Sequence, residues 1–441
     1  MQKYDILVIG GGTSGCATAY IAGKLGLKTL LIEKGIHLGG AITSGLVIPV
    51  MKSGENQINT NFYENLIFEL KKIGGQITYQ NNSGWFNPEL TKIALDKMMK
   101  DANVEVRFNT FPKSAKINSP YITHVEINTN ILSVSNDTIH TNNNTVKSNE
   151  MLSEYIEAKY VVDATGNCEF SKLINCEFLK NENEFQPMSL RFIMSGIDIK
   201  EFGKWLLQVD CDRDVTTVED IDGVTHLSTA YTWDASRAWA LTPLFDDAVA
   251  NNILKDTDRN YFQVFSVAGT TDSIAFNCPR IVENLDPNST LDITKALTSA
   301  RESIYRISEF CKKYFPGFKD AYISNIADSL GVRVSNRIRG KYIYTIEDLR
   351  NGKKFDNPAL ISNYPVDVHS KDKNASTLEQ IGEYQLPMES LMSNDYENLF
   401  VVGRCISADY LAQGALRVQA SCFSMGEAVA KYVKSQINNV C

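Results

Sequence analysis

The sequence predicts an α/β fold in which a largely parallel sheet is assembled from discontinuous segments, with a mixed α+β domain inserted between them. Three observations predict it. Asp5 to Ile9 is a short apolar run that enters a glycine turn and then a helix-forming stretch, CATAYIAGKLG. Near the other end, NLFVVGR at Asn398–Arg404 again runs an apolar strand straight into a glycine. Between them, from about 185 to 375, the chain turns mixed and rich in aromatic clusters.

The first strand lacks polar alternation, as expected of a parallel strand buried on both faces. It meets Gly10-Gly11-Gly12-Thr13-Ser14-Gly15, a GxGxxG turn, and after the helix a second apolar run, LKTLLIE, ends at Glu33. This is the Rossmann-like dinucleotide-binding order. Gly10 permits the tight turn, Gly12 lets the backbone approach a pyrophosphate, and Gly15 allows the helix to pack on the strand. The helix N-terminus offers free N–H groups and a partial positive charge to an anion. Glu33, about 18 residues past Gly15, is placed to accept hydrogen bonds from a ribose diol. Cys16, at the start of the helix, reads as a small packing residue rather than a redox thiol.

Composition narrows the function classes. The chain has 441 residues, 43% hydrophobic and 22% charged, with a net charge of −8. That balance disfavours nucleic acid as the main partner, because neutralising phosphates needs basic surface. The nine cysteines contain no CxxC pair and fit reduced thiols in a cytoplasmic setting. No run approaches the length of a transmembrane helix, and the N-terminus enters a strand too early for a signal peptide. The five histidines show no ligand spacing, so no metal is expected, and no GxSxG elbow occurs.

Further segments point to a cofactor longer than its adenosine half. After Glu33 come Lys34 and GIHLGGAITSGL, whose small residues Gly40, Ala41 and Thr43 suit a chain lying along an extended ligand. In mid-chain AKYVVD meets Ala164, Thr165 and Gly166, and after NLFVVGR a helical stretch runs from about Val418 to Val433.

Together with GGAITSG, these segments, QPMSLRF, NCPR at Asn277–Arg280, GVRVSNRIRG, YQLPMESL and GRCISADYLAQGALRVQASCFSMGEA resemble the FAD-dependent oxidoreductases. These have the FAD-binding fold of the glutathione-reductase type and are related to fumarate-reductase-like flavoproteins. The resemblance runs from the N-terminus to near residue 430. It implies non-covalent FAD, with the first glycine turn at the pyrophosphate and the last strand and helix at the flavin end. It places Gly403 and Arg404 near the ribityl or pyrophosphate portion, and the backbone of Arg417 and Val418, at a helix N-terminus, against the flavin ring. Tyr410 stands where the family often has histidine, Asn167 where it usually has an acid, and Pro112 where a backbone N–H often meets adenine.

The expected organisation is residues 1–184 and 376–441 for the FAD-binding domain and 185–375 for the substrate, or cap, domain. Residues 134–150 are polar and Asn-rich, reading as an exposed hairpin or loop. Asp292 to Tyr314 has the three- and four-residue apolar steps of an amphipathic helix. GVRVSNRIRGKY, read as a strand, would put Arg333, Ser335, Arg337, Arg339 and Lys341 on one face. That is either a solvated, salt-bridged face or one from which Arg333 or Arg337 reaches a substrate carboxylate, for which a guanidinium fork is suited.

The leading reading is a flavoenzyme moving two electrons between FAD and a small organic substrate, with carboxylates among the candidates. Tyr410, Arg191, Arg280 and Arg337 are its candidate proton-handling or anchoring residues. With no second GxGxxG, a dedicated NAD(P)H domain is not expected, and the electron donor or acceptor stays unassigned. The rivals are an NAD-only dehydrogenase and a non-enzymatic nucleotide- or lipid-binding protein on the same fold.

Overall fold

The strand–turn–helix–strand unit at the N-terminus forms as expected in the computed structural model, which describes residues 2–141, 144–180, 185–231, 239–369 and 377–440. It consists of β1 (Gln2–Ile9), α1 (Thr13–Lys24) and β2 (Thr29–Ile32). The helices α2 (Asn61–Lys72) and α3 (Pro88–Asp101) flank a hairpin of β3 (Gln76–Tyr79) and β4 (Asn82–Phe86). Asn87 caps α3, its side chain accepting from the N–H groups of Glu89 and Leu90. Then come β5 (Glu105–Arg107), β6 (Thr110–Asn118), the long strands β7 (Tyr121–Thr141) and β8 (Asn144–Asp163), and the short α4 (Glu169–Leu173).

Strand order in this seven-stranded sheet is β5-β2-β1-β8-β7-β6, and β21 (Leu399–Val401) joins it by pairing with β8. The ladders β1–β2, β2–β5, β1–β8 and β21–β8 are parallel. Register matters more than order here. Ile9 stands opposite Asp163, and Asp163 opposite Val401, so three strands end level with one another. Their following glycine turns therefore share one edge. The Asn-rich stretch is the far part of the β7–β8 hairpin, paired as far as Thr141 with Asn144, and its tip at 142–143 lies outside the described residues.

The middle of the chain builds a second, antiparallel sheet. This part of the chain runs through β9 (Met188–Ser189), β10 (Phe192–Ser195), α5 (Ile199–Val209), β11 (Thr216–Ile221), β12 (Val224–Tyr231) and α6 (Thr242–Ala250). It continues with β13 (Phe262–Ser266), β14 (Ile274–Phe276), β15 (Arg280–Ile281), α7 (Thr290–Tyr314) and β16 (Tyr322–Ile326). The six-stranded order is β11-β12-β13-β14-β10-β16, and β9 pairs with β15 apart from that sheet. The amphipathic helix forms as read: Ser289 caps α7 and its apolar face buries Ala300, Ile304, Ile307 and Cys311. Phe202, Phe245, Phe262, Phe310, Phe315 and Phe318 pack there with ring centroids 4.4–6.1 Å apart. Residues 232–238 of the expected aromatic cluster lie outside the described residues.

The last segments are α8 (Ile346–Arg350), β17 (Pro358–Ser362), β18 (Val366–Val368), β19 (Thr377–Glu379), β20 (Tyr384–Pro387), α9 (Tyr410–Leu416) and α10 (Gln419–Val440). α10 packs along α1, so the two ends of the chain meet. Glu427, buried within α10, accepts from the Asn61 side chain at 2.7 Å and from the Phe62 N–H at 2.9 Å, capping α2 from another element.

One expected element is corrected. Residues 331–341 form no ladder strand. They thread between elements through isolated bridges of Gly331 to Ser189, Ile338 to Phe178 and Gly340 to Ser393. Each changes partner before alternation can be established, so the cations do not share a face. Arg333 and Arg337 are buried, at 8% and 3% exposure, while Arg339 and Lys341 are exposed and pair with Glu177 and Glu397.

Candidate functional site

The level strand ends bring three glycine turns together. Gly10 follows β1 and takes a φ of 103°, open to glycine but rarely to other residues. A Cβ on it would come within 2.7 Å of the Ala164 carbonyl. Gly403, after β21, lies against Ser14 of α1. The Asp163 carboxylate shapes the middle turn, accepting from the Thr165 N–H and hydroxyl and from the Ser171 N–H and hydroxyl. Arg404 crosses from the last turn to the middle one, donating from Nη2 to Asn167 Oδ1 at 2.7 Å. Burial depresses the Arg404 pKa, and its Nε is buried without a hydrogen-bond partner among the described residues.

The motif glycines differ in what they face. A Cβ on Gly15 would lie 1.9 Å from Gly10 O, so Gly15 serves close packing of α1 on the strand. A Cβ on Gly12 would meet only Ala164 O, at 3.9 Å, so Gly12 faces open space at the start of α1. Gly39 donates its N–H to Gly11 O at 2.8 Å, and Gly40 lies against Gly12. Glu33 accepts from the N–H groups of Gly11 and Gly35, both at 2.7 Å, which aims its carboxylate at the turn.

A second cluster gathers beyond α9. Arg191, Arg280, Arg333 and Arg417 surround Tyr261, Asp367 and His369. Arg191 Nε donates to Asn277 Oδ1 at 2.6 Å. Arg280 lies over the Tyr261 ring, 3.7 Å from its centroid, and its Nη2 is 3.1 Å from His369 Nδ1. Arg417 Nη2 donates to Asp367 O at 2.8 Å, and Arg333 donates to the Pro187 carbonyl. Burial pushes Arg191 down to about 10, and it lowers Arg280 and Arg333 as well, with repulsion among the guanidiniums adding to it. His369 is pushed down to about 3 by burial, then by Arg333. Its Nε2 lies 3.4 Å from Asp367 Oδ1, so with Arg280 donating to Nδ1 the imidazole is neutral and held at both nitrogens.

Gln413 joins the two clusters. Its Nε2 donates to Arg404 O and to Arg333 O, each at 3.1 Å.

A family model described as FAD dependent oxidoreductase matches residues 5–440. The chain belongs to that family. It is a flavoprotein oxidoreductase, with FAD as its cofactor. Among curated proteins, it is 29% identical over 111 residues to a digeranylgeranylglycerophospholipid reductase of Thermoplasma acidophilum, a match covering 21% of this chain and 28% of that one. A Thermoplasma volcanium protein of the same name is 49% identical over 45 residues, 10% of this chain and 11% of that one. The chain's match thus spans under a third of the length of these relatives. Among solved structures, p-nitrophenol 4-monooxygenase PnpA from Pseudomonas putida matches with a TM-score of 0.50 and 10% identity, covering 100% of this chain and 82% of that one. At that identity the likeness speaks for the fold.

The residues present fit the flavoprotein's cofactor. The open position at Gly12 is a cradle that any larger residue would fill, and α1 begins there with no side chain capping its N–H groups. Gly10, Gly12, Thr13, Ser14, Gly15, Glu33, Gly40, Ala164, Thr165, Gly166, Gly403 and Arg404 all belong to the three turns or their immediate contacts. Thr43 is buried behind them, bonding Leu38 O at 2.5 Å, and Ala41 is exposed on the same loop. Lys34 points away, paired with Glu169 at 2.6 Å. Val418 immediately precedes α10, and Arg417 turns from that point into the arginine cluster. Cys16 is buried, donating to Gly11 O at 3.1 Å as a packing thiol.

The candidate arginines part company. Arg191 and Arg280 join the cluster, while Arg337 donates to the carbonyls of Ala408 at 2.9 Å and Lys180 at 3.2 Å. Tyr410 is the first residue of α9, half-buried, and Asp409 before it caps the helix. Sequence reasoning missed Tyr261, Asp367 and His369, which sit in no motif. Asn277 was within reach, since it opens the NCPR stretch that ends in Arg280.

Among the described residues no helix is long and apolar enough to cross a membrane, and no group of His, Cys, Asp and Glu could hold a metal ion.

Proposed function

We propose that this flavoprotein transfers two electrons between non-covalently bound FAD and a small organic substrate carrying a carboxylate. Gly12 and the start of α1 hold the pyrophosphate, Glu33 the ribose, and Gly403 with the Arg417–Val418 corner the flavin end. Bound there, FAD supplies the two-electron chemistry. The chain's own residues bind and orient the substrate: Arg191, Arg280, Arg333 and Arg417 supply charge, and Tyr261 stacks under Arg280. In this reading residues 1–184 and 376–441 form the cofactor domain, and 185–375 cover the substrate.

The observation that carries the proposal is Gln413, which ties the carbonyl of Arg404 in the cradle to that of Arg333 in the cationic cluster. A redox group and an anion-binding group on adjacent walls suit oxidation or reduction of a carboxylate substrate. The test is the visible spectrum of the purified protein before and after acid denaturation, followed by anaerobic flavin reduction with a panel of carboxylates. A two-band flavin spectrum that passes into the supernatant supports the reading. A colourless protein that FAD does not reconstitute overturns it.

A further inference from the structure

The arginines of this chain fall into two kinds. Arg306 serves structure: Nε and Nη2 clamp the two oxygens of buried Asp258 at 2.7 and 2.9 Å. Arg107 likewise pairs with Glu105 and Glu154. A guanidinium has five N–H donors in a rigid fork, and such pairing is how a buried one is ordinarily satisfied. The four arginines of the cluster are treated differently. Among the described residues Arg191 meets an amide, Arg280 an imidazole and a ring face, and Arg333 a carbonyl. Arg417 meets one residue, Asp367. The Nε atoms of Arg280 and Arg417 are buried with no hydrogen-bond partner among the described residues.

Among the described residues one carboxylate therefore answers four guanidiniums, in a chain with 52 acidic residues and a net charge of −8. Carboxylates were available to such a chain, and among the described residues only Asp367 stands there. His369 adds no charge, because both of its nitrogens are engaged as a neutral ring. An acetate-like ligand would leave most of the surplus charge uncompensated.

We infer that the cluster of Arg191, Arg280, Arg333 and Arg417 is the binding site of a small organic polycarboxylate, with at least two carboxylates held by separate guanidiniums. Asp367 and His369 set the orientation of two of these forks: Asp367 turns Arg417, and His369 turns Arg280. This inference rests on the proposed flavoenzyme reading and narrows its substrate class.

The test uses the FAD-loaded protein at fixed ionic strength. Acetate, propionate, malonate, succinate, tricarballylate and inorganic phosphate are titrated separately, with flavin absorbance and calorimetry as readouts. At least one di- or tricarboxylate should bind tenfold or more tightly than either monocarboxylate. Arg280→Met and Arg191→Met should each weaken it at least tenfold while FAD content stays at the wild-type level. Equal affinity for mono- and polycarboxylates, tight binding of phosphate alone, or unchanged affinity in both variants would overturn the inference. Loss of FAD from the wild-type protein is a separate failure, of the flavoenzyme reading itself, and shows before any ligand is added.

Discussion

Arg404 and Asn167 are 237 residues apart in sequence and joined by one hydrogen bond, Nη2 to Oδ1 at 2.7 Å. It ties the turn after β21 to the turn after β8, and Ser335 donates to the same Asn167 oxygen at 3.0 Å. Asn167→Leu should remove an acceptor from a buried guanidinium, costing about 1–3 kcal/mol. The expected result in thermal unfolding is a lower Tm together with weaker FAD retention. An unchanged Tm would mean that water or cofactor satisfies Arg404 instead.

The two motif glycines should fail differently. Gly12→Val places its side chain in open space, so circular dichroism should match the wild type while flavin absorbance is lost. Gly15→Ala drives a methyl against Gly10 O and pushes α1 off the sheet, an overpacking cost of about 1–3 kcal/mol or more. It should lower both stability and FAD content. If Gly12→Val kept its full flavin complement, the cradle would not lie at that turn.

Arg337→Met is expected to act on the fold. The guanidinium is buried and braces the Ala408 and Lys180 carbonyls, so its loss should cost about 2–4 kcal/mol in urea unfolding. Carboxylate affinity measured on the folded fraction should hold. A selective loss of affinity with stability intact would put Arg337 among the anchoring residues.

His369 predicts a pH dependence of stability. Its native pKa is pushed down from 6.5 to about 3, so between those values the unfolded chain binds a proton that the native protein does not. Stability from this group is complete above pH 6.5 and declines as pH falls, by at most about 1.4 kcal/mol per pH unit. Asp367, also depressed, adds the same trend only below its ordinary value of 3.8. Unfolding midpoints from pH 6.5 to 4.5 should therefore fall less steeply in His369→Gln than in the wild type. Parallel slopes would show that His369 titrates normally.

Much of the cofactor side was legible because its chemistry is local. A strand, a glycine turn, a helix start and an acid at a set distance follow one another within about 30 residues, and each needs particular residue types for stated backbone reasons. The arginine cluster is the opposite case. Arg191, Arg280, Arg333 and Arg417 come from four separate segments, and Tyr261, Asp367 and His369 carry no local pattern. The segment 331–341 misled because alternation was assumed where, among the described residues, only isolated bridges hold it and no continuous ladder imposes it.

By itself the sequence determined the α/β class, the dinucleotide turn and the FAD family, since hydrophobic periodicity and glycine placement act over a few residues. The tertiary structure decided which charges meet. Only the parallel register of β1, β8 and β21 levels the three turns, and only the packing of α9 lets Gln413 join Arg404 to Arg333. Long-range register and burial depend on the whole core, and no short stretch of residues contains them.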